Sequence, residues 1–180
     1  MMQPLTQEIK ITKTAKTKIN EVDFNNLSFG SVFSDHMLVC DYKNGKWNAP
    51  EVVPYQPITL DPSAKIFHYG QSIFEGMKAY KDAKNDIYLF RPLDNWKRLN
   101  ISSKRLAIPE VPESYFMEGL KTLLKLDSDW IPKKEGSSLY IRPFIFATGK
   151  GFHASPANEY KFIIACAPSG AYFAGKVKVL

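Results

Sequence analysis

Two long strand-like runs near the end of the chain constrain the fold most strongly. SLYIRPFIFATG (138–149) and EYKFIIACAPSG (159–170) are rich in β-branched and aromatic residues, and a loop with Gly, Ser and Pro joins them. Shorter strand-like runs and two helical segments come before them. Because strands and helices are segregated rather than alternating as regular βαβ units, the order predicts an α+β domain with a mainly antiparallel sheet.

Two principal helices are expected to pack on this sheet. Pro92 stands at the favoured first position of one helix, which continues to about residue 107. The second helix follows two prolines, and its apolar residues recur at the spacing of one helix face: Phe116, Leu120, Leu123 and Leu124.

Weaker patterns describe the chain before the helices. Residues 37–42 read as a strand that ends in an Asn-Gly turn. Residues 47–64 contain four prolines and read as an extended connection rather than a helix. MKAYKD and IYLFR flank a polar turn and predict a hairpin.

Composition and charge exclude several classes of protein. The net charge is +6, but basic residues alternate with acids, as in KDAKND, which predicts a solvated surface and no nucleic-acid partner. The longest apolar run, FIIACA, is too short to cross a membrane. Residues 1–26 lack the apolar segment of a secretory signal peptide, so we interpret them as an N-terminal extension and expect a cytoplasmic protein. Cys40 and Cys166 fit no metal-binding spacing and are interpreted as buried free thiols.

Two arginines stand in contexts that favour anion binding. In LYIRPF, Arg142 lies between two aromatic residues on one face of a strand. Burying its charge there costs free energy unless the guanidinium has a partner. It marks either a pocket floor that binds an anion or, as Pro143 allows, an edge strand with Arg142 in solvent or on a carboxylate. In LFRPLDNWKRL, Arg98 is either a phosphate ligand near a strand end or a surface residue of the helix.

The segment FHYGQSIFEGMKAY (67–80) holds aromatic residues and one carboxylate, Glu75, between two glycines. A connecting loop is usually more polar, and the glycines allow a close approach of the backbone at a rim. The pattern is typical of a pocket wall.

Taken in order, LSFGSVFSDHMLVCDY, FHYGQSIFEGMKAY, LFRPLDNWKRL, SLYIRPFIF and GAYF resemble the N-terminal half of a branched-chain-amino-acid aminotransferase of pyridoxal-phosphate fold type IV. The resemblance covers about residues 27 to 174. It implies pyridoxal phosphate as cofactor and the transfer of an amino group between leucine, isoleucine or valine and 2-oxoglutarate.

The resemblance also implies roles for individual residues. Arg98 would bind the cofactor phosphate, and Phe67, Tyr69 and Phe74 would form an apolar sleeve for a branched side chain. Ala154 would reach the neighbouring subunit's site in a homodimer. The implied substrate pocket consists of Phe29, Tyr69, Phe74, Tyr140, Arg142, Ala154 and Tyr172.

No lysine of this chain matches the family's Schiff-base lysine, which the resemblance places beyond residue 180. We therefore expect a small domain at 27–170, the start of an interdomain linker at 171–180, and no catalysis by this half alone. D-amino-acid aminotransferases and aminodeoxychorismate lyases share the fold and remain alternatives, as does a binding domain without catalysis.

Overall fold

The computed structural model describes residues 8–170 and residue 178. Within this part the chain forms a nine-stranded sheet and three α-helices. The strands are β1 (Lys10–Ile11), β2 (His36–Lys43), β3 (Lys46–Trp47), β4 (Glu51–Pro54), β5 (Ser72–Phe74), β6 (Met77–Lys81), β7 (Ile87–Leu89), β8 (Ser138–Ala147) and β9 (Tyr160–Ser169). The helices are α1 (Lys65–Tyr69), α2 (Pro92–Arg105) and α3 (Glu113–Leu126), and short 3-10 turns lie at Ile19–Glu21 and Ser128–Trp130.

The order of the sheet is β1-β4-β2-β9-β8-β6-β7, with β3 paired to β2 and β5 paired to β8. All of these pairs are antiparallel except β1 with β4. The predicted α+β fold with a mainly antiparallel sheet and two principal helices is confirmed. None of the helices in the described part is long and apolar enough to cross a membrane.

The two long strands β8 and β9 form the centre of the sheet. They pair over their whole length, from Ser138 opposite Ser169 to Ala147 opposite Tyr160. The edge-strand interpretation of β8 is therefore wrong. Proline is tolerated here because the strand on the other side of β8 is interrupted between β5 and β6. The carbonyl of Pro143 accepts a hydrogen bond from the N–H of Glu75 at this interruption (2.8 Å). Regular hydrogen bonding between β8 and its neighbours β5 and β6 is absent at this point, so the missing N–H of the proline removes no strand-to-strand bond.

One face of the sheet is covered by α2 and α3. The predicted apolar stripe of α3 is fully buried, and Phe116 stacks on Phe162 of β9 with ring centroids 6.1 Å apart. A Cβ at Gly119 would lie 2.8 Å from the side chain of Leu38, so only glycine lets α3 approach β2 this closely. This face holds the main hydrophobic core.

The connection between α2 and α3 is fixed by one buried amide. Asn100 donates to the carbonyl of Val111 and accepts from its N–H, both at 3.0 Å, as a neighbouring strand would. Trp96 donates a further bond to the same carbonyl at 2.8 Å. These bonds hold the end of the connection against α2.

The N-terminal segment lies along the sheet. The backbone N–H of Thr14 donates to Nε2 of His36, and Asp35 accepts bonds from the Thr17 hydroxyl and the Lys18 N–H. The predicted domain boundary at residue 27 stays a prediction.

Both cysteines are buried free thiols, as predicted. Burial, with a contribution from Asp41, raises the pKa of Cys40 to about 12, so this thiol is protonated at neutral pH.

Candidate functional site

The face of the sheet opposite the main hydrophobic core carries the first part of the candidate site. Side chains alternate along β8, so Leu139 and Ile141 enter the core beneath the helices while Tyr140 and Arg142 lie on the opposite face. This alternation places a cation and an aromatic ring side by side on the face opposite the main core.

Arg142 is held among aromatic rings. Its Nε donates to the hydroxyl of Tyr140 at 3.0 Å, and its guanidinium carbon lies 4.4 Å from the centroid of the Phe74 ring. Phe29 packs edge-on against Tyr140 with ring centroids 4.9 Å apart. Four of the residues that the resemblance assigns to the pocket are therefore brought together: Phe29, Phe74, Tyr140 and Arg142.

A depression of about 440 Å³ opens beside this cluster. Phe33 and Tyr55 stack with ring centroids 4.7 Å apart and form its far wall. Arg142 is the only charged side chain among the described residues that line it; the full lining is Phe29, Gly30, Phe33, Met37, Tyr55, Gln56, Pro57, Ile58, Tyr140, Arg142, Phe144, Ile163, Ala165, Cys166 and Ala167. The depression suits an apolar group with one negative end.

Arg98 and Glu75 form a second cluster across Tyr140. The Nε and Nη2 atoms of Arg98 donate to the two carboxylate oxygens of Glu75, each at 2.6 Å. Asn95, one helical turn before Arg98, donates to the same carboxylate at 2.9 Å and to the carbonyl of Gly76 at 3.3 Å. The Glu75 side chain is buried, whereas that of Arg98 is 66% exposed.

These bonds fix the charge of the pair. Burial acts to raise the pKa of Glu75, but hydrogen bonds from Arg98 and Asn95 and the charge of Arg98 together hold it below its ordinary value. The hydrogen bond to Glu75 and its charge raise the pKa of Arg98. Both groups are ionised at neutral pH.

A depression of about 580 Å³ lies in front of this pair. Tyr140 lines both depressions, so the two clusters share one wall. The lining consists of Gly76, Met77, Lys78, Tyr80, Phe90, Arg91, Asp94, Asn95, Arg98 and Tyr140.

Gly76 sets the width between the clusters. A Cβ on Gly76 would lie 2.7 Å from the Tyr140 hydroxyl oxygen, which is closer than atoms of this kind approach. Gly76 does not have a positive φ, so the close approach and not the backbone conformation calls for glycine here.

Tyr69 and Ala154 lie elsewhere in the described structure. The Tyr69 hydroxyl donates to the carbonyl of Phe152, in the loop that contains Ala154, and neither residue lines the two depressions. Lys65 ties this loop to α1 through bonds to the carbonyl and hydroxyl of Ser155 (2.8 and 2.6 Å). Phe67 is 61% exposed and lines neither depression, and Tyr172 lies outside the described residues.

Sequence reasoning gave no role to Glu75 and did not single out Asn95, although it expected the glycines of residues 67–80 to allow a close approach of the backbone at a rim. One signal was available for Glu75: a carboxylate within an alternating apolar strand pattern requires a nearby cation if it is buried. Local sequence could not identify that cation, because Arg98 lies 23 residues further along the chain.

The curated relatives and the solved structures that match this chain come from one family. A scan against protein-family models gives no match. The chain is 47% identical over 178 residues to "Branched-chain-amino-acid aminotransferase 2" of Bacillus subtilis, covering 98% of this chain and 48% of the relative.

Solved structures give the same result. The Escherichia coli branched-chain amino acid aminotransferase is 28% identical with a TM-score of 0.55, over 74% of this chain and 40% of that one. A second branched-chain amino acid aminotransferase, complexed with N-(5'-phosphopyridoxyl)-L-glutamate, is 28% identical with a TM-score of 0.50, over 71% and 40%. The chain spans about half the length of the relatives it matches. In sequence and in fold, it belongs to the branched-chain-amino-acid aminotransferases and corresponds to their N-terminal half.

Proposed function

We propose that this chain forms one half of a pyridoxal-phosphate-dependent branched-chain-amino-acid aminotransferase, which transfers an amino group between leucine, isoleucine or valine and 2-oxoglutarate. The observation that carries the proposal is the pair of arginines on either side of Tyr140. Arg98 faces one depression and Arg142 the other, and Tyr140 lines both.

Arg98 fits the phosphate of the cofactor. A guanidinium has five N–H donors, and the bonds to Glu75 use two of them, so three have no protein partner within residues 8–170. Its planar fork of donors matches phosphate oxygens, and the bare backbone of Gly76 lines the same depression. Pyridoxal phosphate, when bound, supplies the electron sink for amino transfer, whereas the protein supplies binding and orientation.

Arg142 suits the side-chain carboxylate of glutamate or 2-oxoglutarate. Across the described part of the chain it makes no ion pair with a carboxylate, and its neighbours are the rings of Phe74 and Tyr140. A half-buried cation among apolar groups favours an anionic ligand. When the ligand is leucine, the rings of Phe29 and Phe74 offer apolar contact to its aliphatic side chain.

The loop that contains Ala154 supports the proposal of a homodimer. Ala154 is exposed, while Lys65 and the Tyr69 hydroxyl hold the loop from inside the subunit. A fixed, outward-facing loop can complete the pocket of a neighbouring subunit. Tyr69 thereby acts on the pocket through this loop. We propose that the enzyme is cytoplasmic and binds no nucleic acid.

The test is an amino-transfer assay on the protein expressed from its full coding sequence. Leucine and 2-oxoglutarate with pyridoxal phosphate should yield glutamate and 4-methyl-2-oxopentanoate, and D-alanine should not replace leucine. Turnover of D-alanine in preference to leucine would assign the protein to the D-amino-acid enzymes instead. No turnover of either donor would contradict the proposal.

Cofactor affinity tests the role of Arg98 separately. Arg98→Ala should weaken binding of pyridoxal phosphate by about 1.5–3 kcal/mol, because charged hydrogen-bonded partners are lost. Arg91→Ala is the matched control: Arg91 lines the same depression, but its Nε is bonded to Asp94 on the surface, and its loss should have a much smaller effect. Equal affinity in wild type and Arg98→Ala would remove Arg98 from the phosphate site.

A further inference from the structure

The one buried carboxylate at the site has no part in the function described so far. Glu75 is 5% exposed and stands at the interruption between β5 and β6. Its backbone N–H donates to Pro143, and its carboxylate accepts bonds from Asn95 and Arg98. Its position is therefore set from the central strand β8 and from helix α2 at once.

Glu75 is the anchor of Arg98 within the described structure. The Arg98 side chain is mostly exposed, and a long exposed arginine samples many rotamers when nothing holds it. The bidentate contact fixes both the position and the plane of the guanidinium, because Nε and Nη2 meet two oxygens of one rigidly held group.

We propose that Glu75 is the positioning residue for phosphate binding by Arg98, and that it holds the guanidinium plane so that its remaining donors face the depression. The inference rests on the proposed function, since it takes the phosphate of the cofactor as the ligand. Asn95 supports this arrangement because its side-chain amide donates a third hydrogen bond to the Glu75 carboxylate. The amide is neutral, so it leaves the charge of the carboxylate unchanged.

Charge and geometry make opposite predictions for Glu75. As a charge alone, the carboxylate repels a phosphate, so its neutralisation would strengthen phosphate binding. As a positioning group, its loss frees the guanidinium and weakens binding. Glu75→Gln separates the two, because the amide keeps the size of the side chain but sets an N–H₂ group against an arginine donor.

The depression contains a matched control for charge. Arg91 donates from Nε to Asp94 at 2.6 Å, so Asp94→Asn also removes a carboxylate paired with an arginine of this rim. That pair lies on the surface, and Arg91 is not proposed to bind the phosphate. A pure charge effect would make Asp94→Asn and Glu75→Gln behave alike.

The experiment is calorimetric titration of the cofactor-free protein, expressed from its full coding sequence, with pyridoxine 5'-phosphate and with pyridoxine. Neither probe has an aldehyde, so lysines do not react with them. Glu75→Gln should weaken binding of the phosphorylated probe about tenfold and leave pyridoxine unchanged. Asp94→Asn should bind the phosphorylated probe at least as tightly as wild type. In an Arg98→Ala background, Glu75→Gln should have no further effect.

Several outcomes would overturn the inference. Tighter binding by Glu75→Gln would show a charge effect only, and an equal loss for both probes would show general damage to the fold. If Glu75→Gln does not fold, Asn95→Ala takes its place, with an expected loss of about threefold for the phosphorylated probe and none for pyridoxine; unchanged binding would then overturn the inference. Two other results would instead refute the phosphate site of the proposed function. One is equal affinity of the wild type for the two probes, and the other is unchanged affinity of Arg98→Ala for the phosphorylated probe.

Discussion

Replacing Gly76 with alanine should disturb both clusters through one contact. The added Cβ would lie 2.7 Å from the Tyr140 hydroxyl oxygen and 3.3 Å from two carbons of its ring, whereas ordinary contact begins near 3.4 Å. The hydroxyl must therefore move by about 0.7 Å, which disturbs the 3.0 Å bond that it accepts from Arg142. Overpacking of this kind costs about 1–3 kcal/mol.

The assay is denaturant unfolding of this chain, with a Tyr140→Phe background to isolate the contact. Phenylalanine lacks the hydroxyl, so the closest remaining approach is 3.3 Å, and Gly76→Ala should then cost only about 0.5 kcal/mol. Gly70→Ala serves as control: its φ of 61° makes alanine unfavourable by about 1 kcal/mol, but nothing lies within 4 Å. That cost should be the same in both backgrounds. An equal cost of Gly76→Ala in both backgrounds would refute the reasoning.

Three further changes test the core, the helix connection and the buried carboxylate. Phe116→Ala should destabilise the chain by about 3–5 kcal/mol in denaturant unfolding, because Phe116 is fully buried; a loss below about 1 kcal/mol would contradict its place in the core. Asn100→Ala should cost about 1–3 kcal/mol, because the N–H of Val111 loses its partner while the carbonyl keeps its bond from Trp96; no loss would contradict the bonding. The folded-state pKa of Glu75 lies below its ordinary value of 4.5, so the stabilisation by its carboxylate is fully present above about pH 4.5 and is lost as the pH falls through the folded-state pKa. The gap in unfolding free energy between wild type and Glu75→Gln should therefore narrow on acidification below about pH 4.5; a gap that widens would contradict the pairing with Arg98.

The sequence predicted those elements whose patterns are local and strong. The apolar stripe of α3 and the proline at the start of α2 each act within a few residues, so both helices could be placed. Strand β4 was missed because its proline-rich segment becomes a strand only through pairing with β2. The central place of β8 was obscured by Pro143, whose tolerance depends on the distant interruption between β5 and β6.

The same distinction applies to the site. Arg142 could be singled out because a cation between two aromatic residues of an apolar strand is unusual, and Arg98 because it lies on a helix close to a strand end. Their partners could not, since the contact of Phe74 with Arg142 and the pairing of Glu75 with Arg98 depend on how β5, β8 and α2 come together. The separation of Tyr69 from Phe74 follows from α1, a short helix that the sequence pattern did not show.

The central claim is that one surface accepts both an apolar side chain and a carboxylate. Its most direct measurement is the Michaelis constant for leucine and for glutamate, in the protein from its full coding sequence, for Phe74→Ala and Arg142→Met. Arg142→Met should raise the Michaelis constant for glutamate about 10- to 100-fold, because the carboxylate loses its charged partner. The Michaelis constant for leucine should change little. Phe74→Ala should raise the value for leucine more than that for glutamate, because only leucine needs the apolar wall throughout. This crossed pattern is the predicted result, and an equal rise for both substrates in both variants would contradict the claim.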